Sequence, residues 1–188
     1  MDPSTFVSRN CVSMEDCRAV RDQAFAAKQV AIDELDDAKL VRLLAYWAAR
    51  RSADRLPRRQ DLLPEEMGEL LGRIALVDVD REAQDFRFRL VGTQLRFVLG
   101  RDLTGQTFSS LLPAHFEALL RDYCSAAVTR RTPQCIDVVS KRDGQSFSYS
   151  TLILPLSSGG STVDMLLLAF NWRPSEVPLI DPLAHGPV

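Results

Sequence analysis

The chain has 188 residues, 46% apolar and 26% charged, with a formal net charge of −2. That length suits one domain with an appendage, and the near-balanced charge gives no reason to expect a polyanionic partner for the chain as a whole. The first residues, MDPSTFVSRNCVSMEDC, lack an apolar signal core, and no run of about 18 apolar residues is present to span a bilayer, so a cytoplasmic protein with no membrane partner is expected.

Residues 1–12 are polar and irregular, and a frayed start is expected. Ser13 to Ile32 reads as a helix, with Ser13 and Asp16 at the spacing of a weak capping box. Its stripe of Cys17, Val20, Ala24, Ala27 and Ala31 fits either a short coiled-coil seam between two copies or a helix packed on its own domain. A second helix is predicted from Ala38 to Arg51, opened by Asp36 or Asp37, with Leu40, Leu43, Leu44 and Trp47 as its apolar side. The irregular crossing RRSADRLPRRQDLLP follows, and Pro64 with Glu65 and Glu66 starts a short helix to about Leu71.

Two strands come next, at 73–80 and 86–91, joined as a hairpin by Arg81–Asp85. In the second, Phe86, Phe88 and Leu90 alternate with Arg87 and Arg89, so the three apolar residues are expected to face one way. Gly92 and Thr93 end the alternation, and Leu95, Val98 and Leu99 continue at helical spacing until Gly100 stops the turn. A longer helix from about Pro113 to Arg130 follows, then strands at 134–140, 146–156 and 162–172. Asp143–Gly144 marks a tight hairpin and Ser157–Gly160 a looser one. After Trp172 the tail has four prolines and no periodicity, the pattern of an extended or mobile end.

Strands grouped at both ends of a helical insert predict an α+β domain, an antiparallel sheet with helices on one face. The element order and its motifs resemble PAS domains, in particular small bacterial proteins made mostly of one such domain. The motifs are Tyr46-Trp47 followed by arginines, Leu56-Pro57, Arg59, Asp61 and Pro64, then FRFRLVGT (86–93), Gly100, Asp102, Leu103-Thr104-Gly105 and Leu154-Pro155-Leu156. The resemblance covers roughly residues 38–172, with a helical extension at 1–37 and a Pro-rich tail at 173–188. It implies a five-stranded antiparallel sheet, a helical wall, and a small-molecule cavity between them. It also implies a sensory or signalling role, and dimerisation through a helix preceding the core.

Candidate lining for such a cavity is Phe86, Phe88 and Leu90 from one strand, and Tyr149 and Thr151 from another, where Phe147 and Ile153 share the alternation. Val98, Phe108, Leu112, Phe116 and Tyr123 are expected to close it from the helices. Tyr149 and Thr151 would be its polar handles, because ligand pockets set a few polar groups in an apolar lining. The competing reading is a solid core.

Nothing gathers a catalytic set. No nucleophile elbow, phosphate loop or metalloprotease motif occurs, so no enzyme is expected. Four dispersed cysteines and two histidines do not make a metal site. His115 is the one residue through which a haem-binding sensor is conceivable, but its spacing puts it at the edge of the helix stripe. The segment Thr93–Phe97 lacks the cysteine with which light-sensing PAS relatives form a flavin adduct. No bound cofactor is expected. Five arginines (50, 51, 55, 58 and 59) crowd the crossing segment, with acids beside them and no aromatic interleaved. They read first as a structural clamp, second as a protein-docking surface, and not as a nucleic-acid site.

Overall fold

In the computed structural model, residues 24–110, 114–142 and 145–172 are described. Their centre is a six-stranded, wholly antiparallel sheet. The strands are β1 (Ala24–Val30), β2 (Ile74–Asp80), β3 (Asp85–Val91), β4 (Gln134–Arg142), β5 (Gln145–Leu156) and β6 (Met165–Trp172), in spatial order β1-β4-β5-β6-β2-β3. Helices α1 (Ala38–Ala48), α2 (Thr93–Leu99) and α3 (Ala114–Arg130) complete it, with 3-10 turns at Arg59–Asp61, Pro64–Arg73 and Phe108–Ser110.

The expected α+β architecture is present, with two departures. First, the sheet has six strands rather than five, because residues 24–30 form β1 and not the second half of a helix. Alanines 24, 26 and 27 favour a helix intrinsically, but a strand beside β4 gains a full ladder of backbone pairs, from Ala24 opposite Lys141 to Val30 opposite Cys135. Lys28 falls opposite Asp137, and Gln29 Nε2 donates to Gln134 Oε1 at 3.3 Å, so charge and polarity match across the pair. The first part of that predicted helix, residues 13–23, and the tail after Trp172 lie outside the described residues.

Second, helices cover both faces of the sheet, not one. Consecutive residues of the central strands, Ile74–Val77, Thr151–Leu154 and Leu166–Ala169, are each at most 4% exposed. Register places Thr151, Ile153, Leu168, Ala75 and Val77 on one face with Phe88. Phe108 stacks on that face, 5.1 Å from both Phe86 and Phe88. Leu152, Leu154, Leu167 and Ala169 share the opposite face with Asn171, whose amide donates to the Asp37 carboxylate. Asp37 also caps α1, accepting from Lys39 and Leu40 N–H at 3.0 Å each, so α1 starts against that second face. Leu40, Leu43 and Trp47 are its buried side, as the spacing predicted. The Trp47 indole N–H donates to the Pro155 carbonyl at 3.0 Å.

The short helix expected from Pro64 is present as two 3-10 turns over Pro64–Arg73, hinged at Gly68 (φ 53°, ψ −129°), a conformation that only glycine adopts readily. Trp47 fixes the α1 layer. Trp47→Ala should cost about 3–5 kcal/mol and Trp47→Phe about 1 kcal/mol in urea unfolding, the second because the Pro155 carbonyl is left buried without its donor.

Candidate functional site

The roofed face of the sheet is the site to be judged as a ligand cavity. Of the expected lining, Phe86, Phe88 and Phe108 are brought together, while Thr151 shares their face but stands on β5, with β6 and β2 between; all four are at most 5% exposed. Tyr149 lies in the same register row as Val138 and Trp172, its ring 6.3 Å from that of Phe170, and desolvation pushes its hydroxyl pKa up. Tyr123 packs on the core from α3, and its pKa is likewise raised, by burial first and then by Asp122. Val98 is half-buried on α2. Leu112 lies outside the described residues, as do the side chains of Phe116, His115 and Phe147.

Leu90 leaves the set. It is 41% exposed while Val91 beside it is 4% exposed. The cause is a β-bulge: Leu76 pairs with Leu90 but Val77 pairs with Phe88, so Arg89 is the extra residue. One added residue inverts every side chain beyond it, putting Leu90 on the other face and Val91 in the place the alternation gave to Leu90.

Beyond the bulge the strand turns into α2 as the glycine signal suggested. Gly92 passes so close to Gly72 that a Cβ there would stand 2.5 Å from the Gly72 carbonyl oxygen, and Gly100 closes α2 in the left-handed conformation. Asp102 then holds the loop, accepting from Thr104 N–H at 2.9 Å and Thr104 Oγ1 at 2.6 Å and pairing with Arg96 at 3.0 Å.

The roof is tied to the sheet by a charged cluster that periodicity did not reveal. Asp85, 8% exposed at the start of β3, accepts from Arg121 of α3 and from Ser109 Oγ at 2.7 Å each, and from Phe86 N–H at 2.7 Å. Arg121 also bonds Glu117 at 2.6 Å and the Gln84 carbonyl at 3.0 Å. The one signal for it in the sequence is the four-residue spacing of Glu117 and Arg121. The arginine clamp is present with altered roles. Asp61 accepts from Arg58 N–H at 2.8 Å and pairs with Arg55 at 3.2 Å, while Arg50 stacks on Tyr46 and donates to the Asp61 carbonyl at 2.6 Å. Among the described residues, Arg59 bonds only the nearby Leu62 carbonyl.

Among the described residues no group of three or more His, Cys, Asp or Glu is arranged to hold a metal, and the Cys124 and Cys135 thiols are buried and pushed far above their usual pKa by desolvation. No helix among them is long and apolar enough to cross a membrane.

The family model for the PAS domain matches residues 35–170. The chain belongs to the PAS domain family. No curated protein matches it. The match begins just ahead of α1, so the layer on the second face is part of the PAS unit, whereas β1 lies before it.

Two outcomes test this geometry. Burial raises the Asp85 pKa, but its hydrogen bonds to Ser109, Phe86 and Arg121 outweigh that and hold the carboxyl below its ordinary value. A depressed folded pKa stabilises the fold above the unfolded value, about 4, and that stability is lost as pH falls through the folded value. Asp85→Asn should therefore cost about 1–3 kcal/mol at pH 7 in urea unfolding, and flatten the loss of stability below about pH 4. Gly92→Ala should lower stability by about 2 kcal/mol or more, because its methyl group would collide with backbone.

Proposed function

We propose that this PAS domain is a non-catalytic sensory module that takes a small, largely apolar ligand between the Phe86–Phe88–Thr151 face and the α2–α3 roof. The observation that carries this reading is the buried Thr151, 1% exposed, with Tyr149 two positions before it on the same face of β5, its hydroxyl desolvated and its ring 6.3 Å from that of Phe170. Occupancy would bias how the roof sits on the sheet, a population shift in which the Asp85–Arg121 contact is the joint that is kept or broken. The response leaves by protein contact. The reading includes no haem, flavin or metal, and a cytoplasmic setting with no nucleic-acid or membrane partner. It includes self-association through the segment ahead of residue 38, with the edge strand β1 in the place first given to a helical seam.

A ligand-free interaction adaptor is the second reading, favoured by Phe97. This side chain is 70% exposed on α2 while Phe86, Phe88 and Phe108 pack on one another inside.

Native mass spectrometry of freshly purified protein, with thermal shifts across a panel of apolar metabolites, separates the two. Retained small-molecule mass, or a shift that Thr151→Val abolishes, supports the sensor; neither, with partner capture lost in Phe97→Ser, supports the adaptor. A visible absorbance band would overturn the cofactor-free reading. Light scattering should give a dimer for the full chain and a monomer for a chain beginning at Asp36; equal masses for both would remove the N-terminal segment from its assigned role.

A further inference from the structure

Two arginines, Arg58 in the crossing segment and Arg131 just after α3, are left incompletely satisfied. Arg58 and Arg131 are half-buried, and each has its Nε shut off from water without a hydrogen-bond partner. Among the described residues neither is paired with a carboxylate, although Arg55 in the same segment pairs with Asp61. Half-buried charges are ordinarily paired, because desolvation without a counter-charge is costly. Close by is a third orphan: Ser157 is fully buried and its hydroxyl has no partner.

Backbone contacts bring these residues to one place. Ser157 N–H donates to the Pro57 carbonyl at 3.0 Å, immediately before Arg58, and Leu56 N–H donates to the Gly160 carbonyl at 3.0 Å. Arg131 Nη2 reaches the Asp54 and Gly160 carbonyls, both at a long 3.5 Å. Asp54 thus meets Arg131 through its backbone and not its carboxylate. Arg131 also sits in the left-handed conformation (φ 55°) directly after α3, the position where glycine is the usual residue. The negative end of α3 offers Arg131 some compensation; Arg58 has no such helix end. A strained arginine, a second unpaired arginine and an orphaned hydroxyl around one loop are features that weaken a fold and suit a ligand.

We propose that the junction where residues 54–58 cross the 157–160 loop and the end of α3 binds a phosphoryl oxyanion. Guanidinium groups only donate, so the missing partner is an acceptor, and two positive charges without a carboxylate partner match the double charge of a phosphoryl group better than a single carboxylate. A free phosphate ester and a phosphorylated side chain on a partner protein present the same chemistry.

The test is isothermal titration and thermal melting of the full chain with inorganic phosphate and with a phosphoserine peptide, against chloride at equal ionic strength. Saturable binding with a raised melting temperature is expected. Arg58→Gln and Arg131→Gly should each weaken it about tenfold or more, and Ser157→Ala several-fold. Without phosphate, Arg131→Gly and Ser157→Ala should melt no lower than the parent chain, since one relieves strain and the other removes an unpaired buried hydroxyl. Tighter binding of the peptide than of phosphate assigns the site to a phosphorylated partner, and the reverse to a small molecule; either supports the site. No effect beyond ionic strength, or undiminished binding in Arg131→Gly, overturns it.

Discussion

The middle strands β2, β5 and β6 carry apolar residues on consecutive positions, so neither face of this sheet can be left to water. An antiparallel sheet more often buries one face and alternates apolar with polar residues. Here the second face needs a layer of its own, and α1 supplies it with Leu40, Leu43 and Trp47. The crossing segment then has to carry the chain from that layer back to the first edge of β2. Its arginines, with Asp61, Tyr46 and the loop at 157–160, are the fastenings along that path. Much of residues 38–73 exists because of this one requirement.

Most of the elements could be read from residue spacing, since period two and period 3.6 directly reflect which side is buried. The cap at Asp37, the stripe of α1, the Gly100 stop and the long helix ending at Arg130 all lay in local sequence. The failures have a common origin in long-range pairing. Nothing within 24–30 announces a strand; its reason lies more than a hundred residues away, in the edge that β4 presents. The consecutive apolar runs that mark a sheet roofed on both sides were visible, in LILPL and MLLLAF, but the family pattern drew attention to a single helical wall.

For the candidate site, chemistry was easier to read than geometry. Phe86, Phe88 and Thr151 lie on the face that Phe108 covers because simple alternation holds on β5 and on the first part of β3. Leu90 was misplaced by a single extra residue, and a bulge of this kind has no strong local signature when arginine rather than glycine fills it. The Asp85–Arg121 cluster and the junction of Arg58, Arg131 and Ser157 join residues from separate elements, so only the assembled fold shows them.

Around Arg73 four parts of the chain are clasped together. Its guanidinium bonds Gln94 of α2 at 2.7 Å and Asn171 at 2.9 Å, and lies 4.6 Å from the Trp172 ring centre, while Asn171 also grips Asp37 ahead of α1. The point where the chain enters the second-face layer and the point where it leaves the last strand are therefore fastened to each other by side chains alone. Opening this polar clasp would free the start of α1 from the end of β6 without separating any pair of strands. Because Gln94 is part of the clasp, its opening would be felt on α2.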